Sequence, residues 1–314
     1  MKRKRNKGLF VGILLSAIAV VAFGSTFFYR EKMEENAEEF TVVTSFYPMY
    51  IAAENLTQGR DGMRLVSLSE PQTGCLHDYQ MTPEDMKLLA TADVFVVNGG
   101  GIEEFLTDVA EQYPDLAIVD ASQGLELLEA SGAHDHDDHD HGLDINGHAW
   151  MSIALHRQQL ENICEGLAAA DPGYEKLYRE NLAAYDEKLA SLQAEQQELA
   201  REFSGKTVIL FHEAYAYVAA DYGMHVELVM DLDEERQVSA GEVAQVMAAV
   251  ENEQVSLILA EEQYGKEMGD MVQKETGAAV CYLDTLVRGD YDKDSYLERM
   301  EQNLLLLRKA AEKL

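Results

Sequence analysis

Between residues 40 and 130 short runs of β-branched and apolar residues alternate with segments whose apolar positions recur at threes and fours. Runs 40–45, 63–68, 94–98 and 116–119 read as strands, and the first three are followed by helix signals. Pro48 opens a helical stretch that Gly59 ends. Thr82 is an N-cap ahead of Pro83 and the acidic pair Glu84 and Asp85, so a helix runs to about residue 91. After the turn Gly99-Gly100-Gly101, a helix is expected from 102 to about 112. From Asp171, which caps, and Pro172, which starts, the residues Tyr178, Leu182, Tyr185, Leu189, Leu192, Leu199 and Phe203 repeat helically until Gly205, lapsing at Gln196. That is about 30 residues, or roughly 45 Å of helix. The alternation then resumes, with strands at 207–211, 226–230, 256–260 and 279–283, a helix at 239–250 behind the N-cap Ser239, and a closing amphipathic helix at 295–313.

Strands alternating with helices predict parallel sheets covered on both faces. The expected fold class is α/β, with two Rossmann-like lobes joined by one long backbone helix. The expected divisions are a leader at 1–30, an acidic linker at 31–39, an N-terminal lobe at 40–170, a linking helix at 171–204 acting as a strut, and a C-terminal lobe at 205–314. Ligands of such sheets bind beyond the carboxyl ends of the strands, here in a cleft between lobes.

The leader carries Lys2, Arg3, Lys4, Arg5 and Lys7 ahead of an uncharged apolar run from Gly8 to about Tyr29. It is an export signal or a membrane anchor. Ala22-Phe23-Gly24 favours cleavage before Ser25, while the uncut run is long enough to span a bilayer. The chain is therefore expected outside the cytoplasm, periplasmic or at the cell surface. Of 314 residues, 57 are acidic and 25 are Lys or Arg, for a formal charge of −32. Such a surface repels nucleic acid and anionic lipid and attracts cations, although acidity also serves solubility alone. Cys75, Cys164 and Cys281 stand at no metal-ligand spacing, which excludes a thiolate zinc site and a disulfide framework while leaving room for one bridge.

One tract has no apolar residue to fold around: His134, His136, His139 and His141 alternate with Asp135, Asp137, Asp138 and Asp140. Imidazoles interleaved with carboxylates make a metal-collecting loop, whereas a merely solvated acidic loop has no use for the histidines. The ordered residues it could feed sit where strands end. His77 lies in the loop after the second strand, His148 leads into a helix starting near Ser152, His212 follows the strand at 207–211, and Asp284 follows the last strand. Singly, each is as well explained as a hydrogen-bonded loop histidine or a capping aspartate. Together, three imidazoles and a carboxylate form a four-coordinate set suited to Zn²⁺. His156 and His225 lack this context and read as packing or surface residues.

The order of motifs carries a resemblance. Tyr47-Pro48, Pro71 with His77-Asp78-Tyr79, Thr82-Pro83-Glu84-Asp85, Ala92-Asp93, Asn98-Gly99 with Glu104, His148-Ala149-Trp150, Asp171-Pro172 with Tyr178 and Asn181, Phe211-His212-Glu213-Ala214-Tyr215 with Tyr222-Gly223, Glu261 with Gln263, and Leu283-Asp284 are similar to the zinc/manganese solute-binding proteins of bacterial ABC importers. The match covers nearly the whole exported chain.

The resemblance implies one metal in the interlobe cleft, with His77, His148, His212 and Asp284 on the family's four ligand positions. Members that favour manganese tend to carry a carboxylate at the third position, where this chain has His212. The His-rich loop is typical of the zinc branch. Two features depart from the pattern: Asn146-Gly147 replaces the usual pair before His148, and Cys75 stands two residues from His77 as a competing thiolate. Glu261 and Glu262 are candidates to support the ligands from behind.

The function implied is a receptor that captures Zn²⁺ as cargo with high affinity and delivers it to an ABC permease, without catalysis. It is expected to act as a monomer held at the membrane by its N-terminal segment or by the permease. Manganese as cargo is one alternative, and a metal-binding surface or adhesion protein is another. A zinc hydrolase would need an open coordination position and a base such as Glu213 or Glu262, and four protein ligands with no HExxH pair argue against it.

Overall fold

The structure, a computed structural model, describes residues 39–74, 76, 79–130, 145–230, 232 and 238–314. The leader, Cys75, His77, Asp78 and the histidines of the 134–141 tract lie outside the described residues. No helix among those described is long and apolar enough to cross a membrane.

The N-terminal lobe is built from β1 (Phe40–Thr44), α1 (Tyr47–Thr57), β2 (Met63–Ser67), α2 (Pro83–Leu89), β3 (Val94–Val97), α3 (Leu106–Gln112) and β4 (Ala117–Asp120). Its four strands are parallel in the order β2-β1-β3-β4. After α4 (Ile153–Ala170) and α5 (Glu175–Ala200) comes a second lobe of β5 (Thr207–Leu210), α6 (Tyr215–Asp221), β6 (His225–Val229), α7 (Ala240–Asn252), β7 (Leu257–Ala260), α8 (Glu262–Thr276), β8 (Ala279–Tyr282) and α9 (Ser295–Ala311). Its sheet repeats the same order, β6-β5-β7-β8, again all parallel. The central strands β3 and β7 are buried at every position, as strands covered on both faces must be.

Local chemistry explains where the elements depart from expectation. The N-cap Thr82 starts α2 as expected, and the structure adds a capping box with Asp85. α3 starts at Leu106 instead of 102, because the Glu103 carboxylate folds back to accept the backbone N–H groups of Asn98 and Gly99 at 2.8 and 3.0 Å. Asp171 does not cap a helix with its side chain. Its Oδ2 accepts instead from Tyr178 Oη at 2.7 Å and Arg60 Nε at 3.0 Å. Pro172–Tyr174 forms a separate 3₁₀ turn, which shortens the long helix to 26 residues. The lapse at Gln196 is a hydrogen bond made by a buried side chain, whose Nε2 donates to Asp221 Oδ2 at 3.0 Å. Sequence periodicity passed over α6 and α8, and α8 is amphipathic with only Gly265, Met268, Gly269 and Val272 buried. Cys164 and Cys281 are buried free thiols, so no bridge joins them.

The seam between lobes is held by polar side chains reaching backbone groups. Tyr47 Oη donates to Asp290 O (2.8 Å) and shares a hydrogen bond with the Ser295 hydroxyl (2.9 Å), Trp150 Nε1 donates to Thr285 O (2.9 Å), and Tyr296 Oη donates to Trp150 O (2.8 Å). Tyr217 Oη donates to Asn146 O.

Candidate metal centre

His148 and His212 approach each other from opposite lobes. His148 stands at the head of a 3₁₀ turn, Ala149–Met151, and is fully buried; His212 lies just past the carboxyl end of β5 and is 2 % exposed. Their rings are perpendicular, with centroids 5.1 Å apart. Trp150 packs 5.1 Å from the His148 ring, and Phe46 meets Trp150 edge-on.

Asn146 organises this loop. Its Nδ2 donates to Glu213 O at 2.9 Å, which leaves Oδ1 as the acceptor facing His148. That oxygen takes the His148 backbone N–H at 3.1 Å and lies 2.8 Å from the ring Nδ1. An amide oxygen can only accept, so the proton sits on Nδ1 and the lone pair on Nε2, the tautomer that binds a metal through Nε2. A Glu213 carboxylate oxygen lies 3.5 Å from the same Nδ1. His212 is held the opposite way, its Nδ1 accepting the Ala214 backbone N–H at 2.9 Å. Taking a metal at Nε2 of His212 therefore requires its proton to move to Nδ1 and that hydrogen bond to be released.

Behind Asn146 a buried polar chain fixes the loop to the N-terminal sheet. Asn98 Nδ2 donates to Gly147 O at 2.9 Å, and Asn98 Oδ1 accepts from Gln159 Nε2 at 2.9 Å. Burial pushes the Glu103 carboxyl up to about 7 against the opposing pull of its two backbone donors. This buried acid is Glu103, one residue before the Glu104 of the motif comparison. Gly147 packs so closely on the 99–101 turn that a Cβ there would lie 2.6 Å from Gly100 O.

The C-terminal lobe brings Asp284 and Glu261 to the ends of β8 and β7. The Asp284 backbone adjoins the histidine pair: Tyr215 Oη, beside His212, donates to Leu283 O at 2.8 Å, and Trp150 holds Thr285 O. The Asp284 carboxylate is engaged elsewhere. Oδ1 accepts Leu286 N–H at 2.7 Å, and Oδ2 pairs with Arg299 Nη1 at 3.1 Å. Leu286 adopts φ 62°, a left-handed conformation strained for a leucine, inside this turn. Glu261 is held by Thr285 Oγ1 and Arg288 Nη1, each at 3.3 Å. Glu262 faces solvent and pairs with Lys266 at 3.1 Å. No three His, Cys, Asp or Glu side chains among the described residues stand together as a metal-holding group. The structure thus unites His148 with His212 and sets Asp284 on Arg299, while His77 lies outside the described residues.

His156 and His225 fall where the sequence placed them. His156 is buried, stacked on Tyr296 with ring centroids 4.0 Å apart, and burial lowers it to about 4. His225 is exposed. Sequence reasoning missed Glu103 and Arg299; the three glycines at 99–101, all at positive φ, were a signal for the tight turn around Glu103.

The family profile described as zinc-uptake complex component A, periplasmic (ZnuA) matches residues 42–310. The high-affinity zinc uptake system protein ZnuA of Bacillus subtilis is 28% identical over 317 residues, covering 96% of each chain. The manganese-binding lipoprotein MntA of Halalkalibacterium halodurans is 25% identical, covering 86% of this chain and 88% of its own. Among solved structures, FpvC of Pseudomonas aeruginosa in complex with Mn²⁺ superposes with a TM-score of 0.75 at 25% identity, over 87% of this chain and 99% of its own. The chain belongs to the ZnuA family of periplasmic metal-binding proteins, which are solute-binding components of ABC importers and not enzymes.

Proposed function

We propose that this chain captures Zn²⁺ outside the cytoplasm, at His77, His148, His212 and Asp284, and hands it to a membrane permease. The observation that carries this reading is the buried pair of imidazoles presented from opposite lobes, one of them fixed by Asn146 in the tautomer that leaves Nε2 ready. Imidazole at the third position suits zinc better than the hard oxygen ligands that manganese prefers. The chain's similarity to the Bacillus subtilis zinc uptake protein points the same way. Capture needs unprotonated rings, so affinity falls as pH drops through the ordinary imidazole range. The tract bearing His134, His136, His139 and His141 holds further ions loosely and raises the local supply.

Manganese as cargo is the second reading, favoured by the similarity to a manganese-binding lipoprotein. The test is a competition titration of metal-stripped protein lacking residues 1 to 30 against Zn²⁺ and Mn²⁺, repeated with residues 134 to 141 deleted. One tight zinc site in both forms, with weak extra sites only in the first, is expected. Tight manganese with indifferent zinc reassigns the cargo, and loss of the tight site on deletion makes the tract a primary ligand.

A further inference from the structure

Asp284 differs from the two histidines in already having a cation. Arg299, from α9, reaches Oδ2 at 3.1 Å and also donates to Arg288 O, while its guanidinium lies 5.9 Å from the centroid of the Tyr47 ring of the opposite lobe. The other carboxylate oxygen is independently fixed by the Leu286 N–H at 2.7 Å. The Asp284 backbone is fixed as well, its N–H donating to Asn303 Oδ1 and its carbonyl accepting from Asn303 Nδ2, both at 2.8 Å. Aim is therefore supplied by the turn and by Asn303, and what Arg299 adds is charge. Among the described residues the nearby Arg288 guanidinium does not replace it, being committed to Glu261, Gln263 and Tyr264. A cleft of about 580 Å³, lined by Glu261, Asp284, Arg288, Arg299 and Asn303 among others, gives solvent and ions access to the pair.

We infer that Arg299 is the resident cation of the Asp284 carboxylate, which an incoming divalent metal must share or displace, so that Arg299 sets how tightly and for how long the metal is held. The inference rests on Asp284 being a ligand. A guanidinium left beside a newly bound divalent ion repels it, and the carboxylate it gives up is one the metal must win from a charge-assisted hydrogen bond. Arg299 thus keeps capture from becoming irreversible. The half-exposed setting of the pair, 31 % and 40 % by side chain, limits the effect, since solvent screens such pairs.

The test compares Zn²⁺ dissociation constants, from competition with a chromophoric chelator, and release rates into excess EDTA, for wild type, Arg299→Gln, Arg299→Lys and Asp284→Ala. Arg299→Gln is expected to bind about three- to tenfold more tightly and to release more slowly, with Arg299→Lys near wild type because it keeps the charge. Asp284→Ala is expected to bind more weakly. Unchanged affinity in Asp284→Ala removes the ligand assignment itself. Weaker binding there, together with equal or weaker binding in Arg299→Gln, overturns the role of Arg299 alone. Should Arg299→Gln fail to melt cooperatively, the ¹⁵Nε signal of Arg299 in the wild-type protein decides. It is expected to shift when Zn²⁺ is added, and an unmoved signal overturns the inference.

Discussion

The two lobes repeat one sheet order and hold their sides of the proposed site in opposite ways. On the N-terminal side, His148 is sealed in a loop fastened through Asn146, Asn98, Gln159 and Glu103, every one buried. On the C-terminal side, Asp284 and Glu261 are carboxylates already paired with Arg299 and Arg288 along a cleft of about 580 Å³. Buried polar networks are rigid because leaving any member unpaired is costly, whereas a half-exposed ion pair such as Asp284–Arg299 contributes little and exchanges partners readily. A receptor that must both seize and surrender a cation benefits from one preformed half and one exchangeable half.

The largest effect should come from the seam, at His156. Its folded value of about 4 lies below the ordinary 6.5, so the native state holds it neutral against Tyr296. As pH falls below the ordinary value, the unfolded chain takes up a proton that the folded chain refuses until about pH 4. Stability is therefore lost across that window, by up to about 3 kcal/mol. His156→Phe, which keeps a ring against Tyr296, should flatten this slope in urea unfolding at several pH values between the two; an unchanged slope would assign the acid sensitivity elsewhere.

Next comes the sealed loop. Gly147→Ala would drive a methyl into Gly100 O and Ile102, and overpacking against backbone costs about 1–3 kcal/mol. A melting temperature equal to wild type would mean that the loop is not fastened as described. Last comes Asn146, whose effect falls on metal affinity and not on folding. Asn146→Leu removes the acceptor for the His148 ring and should weaken zinc binding by about ten- to a hundredfold. Asn146→Asp restores an acceptor oxygen and should recover most of it. Equal loss in both variants would point to a general disturbance of the loop and not to the tautomer.

Much of this was legible in the chain itself. The α/β alternation, the paired parallel sheets and the N-cap at Thr82 follow from periodicity and end signals, which act locally. Placing His148 and His212 at chain positions near strand ends followed from the rule for parallel sheets, and the structure brings the two rings together. What stayed hidden depends on distant partners. No local pattern tells that Asn146 bridges to Glu213, that Gln196 pairs with the half-buried Asp221, or that Arg299 reaches Asp284 from the closing helix. α6 was overlooked because its seven residues are mostly buried and show no stripe, and the start of α3 was misplaced because a side-chain carboxylate took the backbone donors that a helix would have left open. The same physics separates His148 from His156. Both are buried, but only one has an acceptor aimed at its ring within 3 Å and a second imidazole opposite it.

The pairing of His148 with His212 across the lobes is tested most directly by calorimetric titration of metal-stripped protein with Zn²⁺, beside His212→Ala and the exposed control His225→Ala. Loss of the single tight site in His212→Ala, with the control indistinguishable from wild type, is the expected result. A tight site that survives in His212→Ala would contradict the assignment and return both rings to the role of packed core residues.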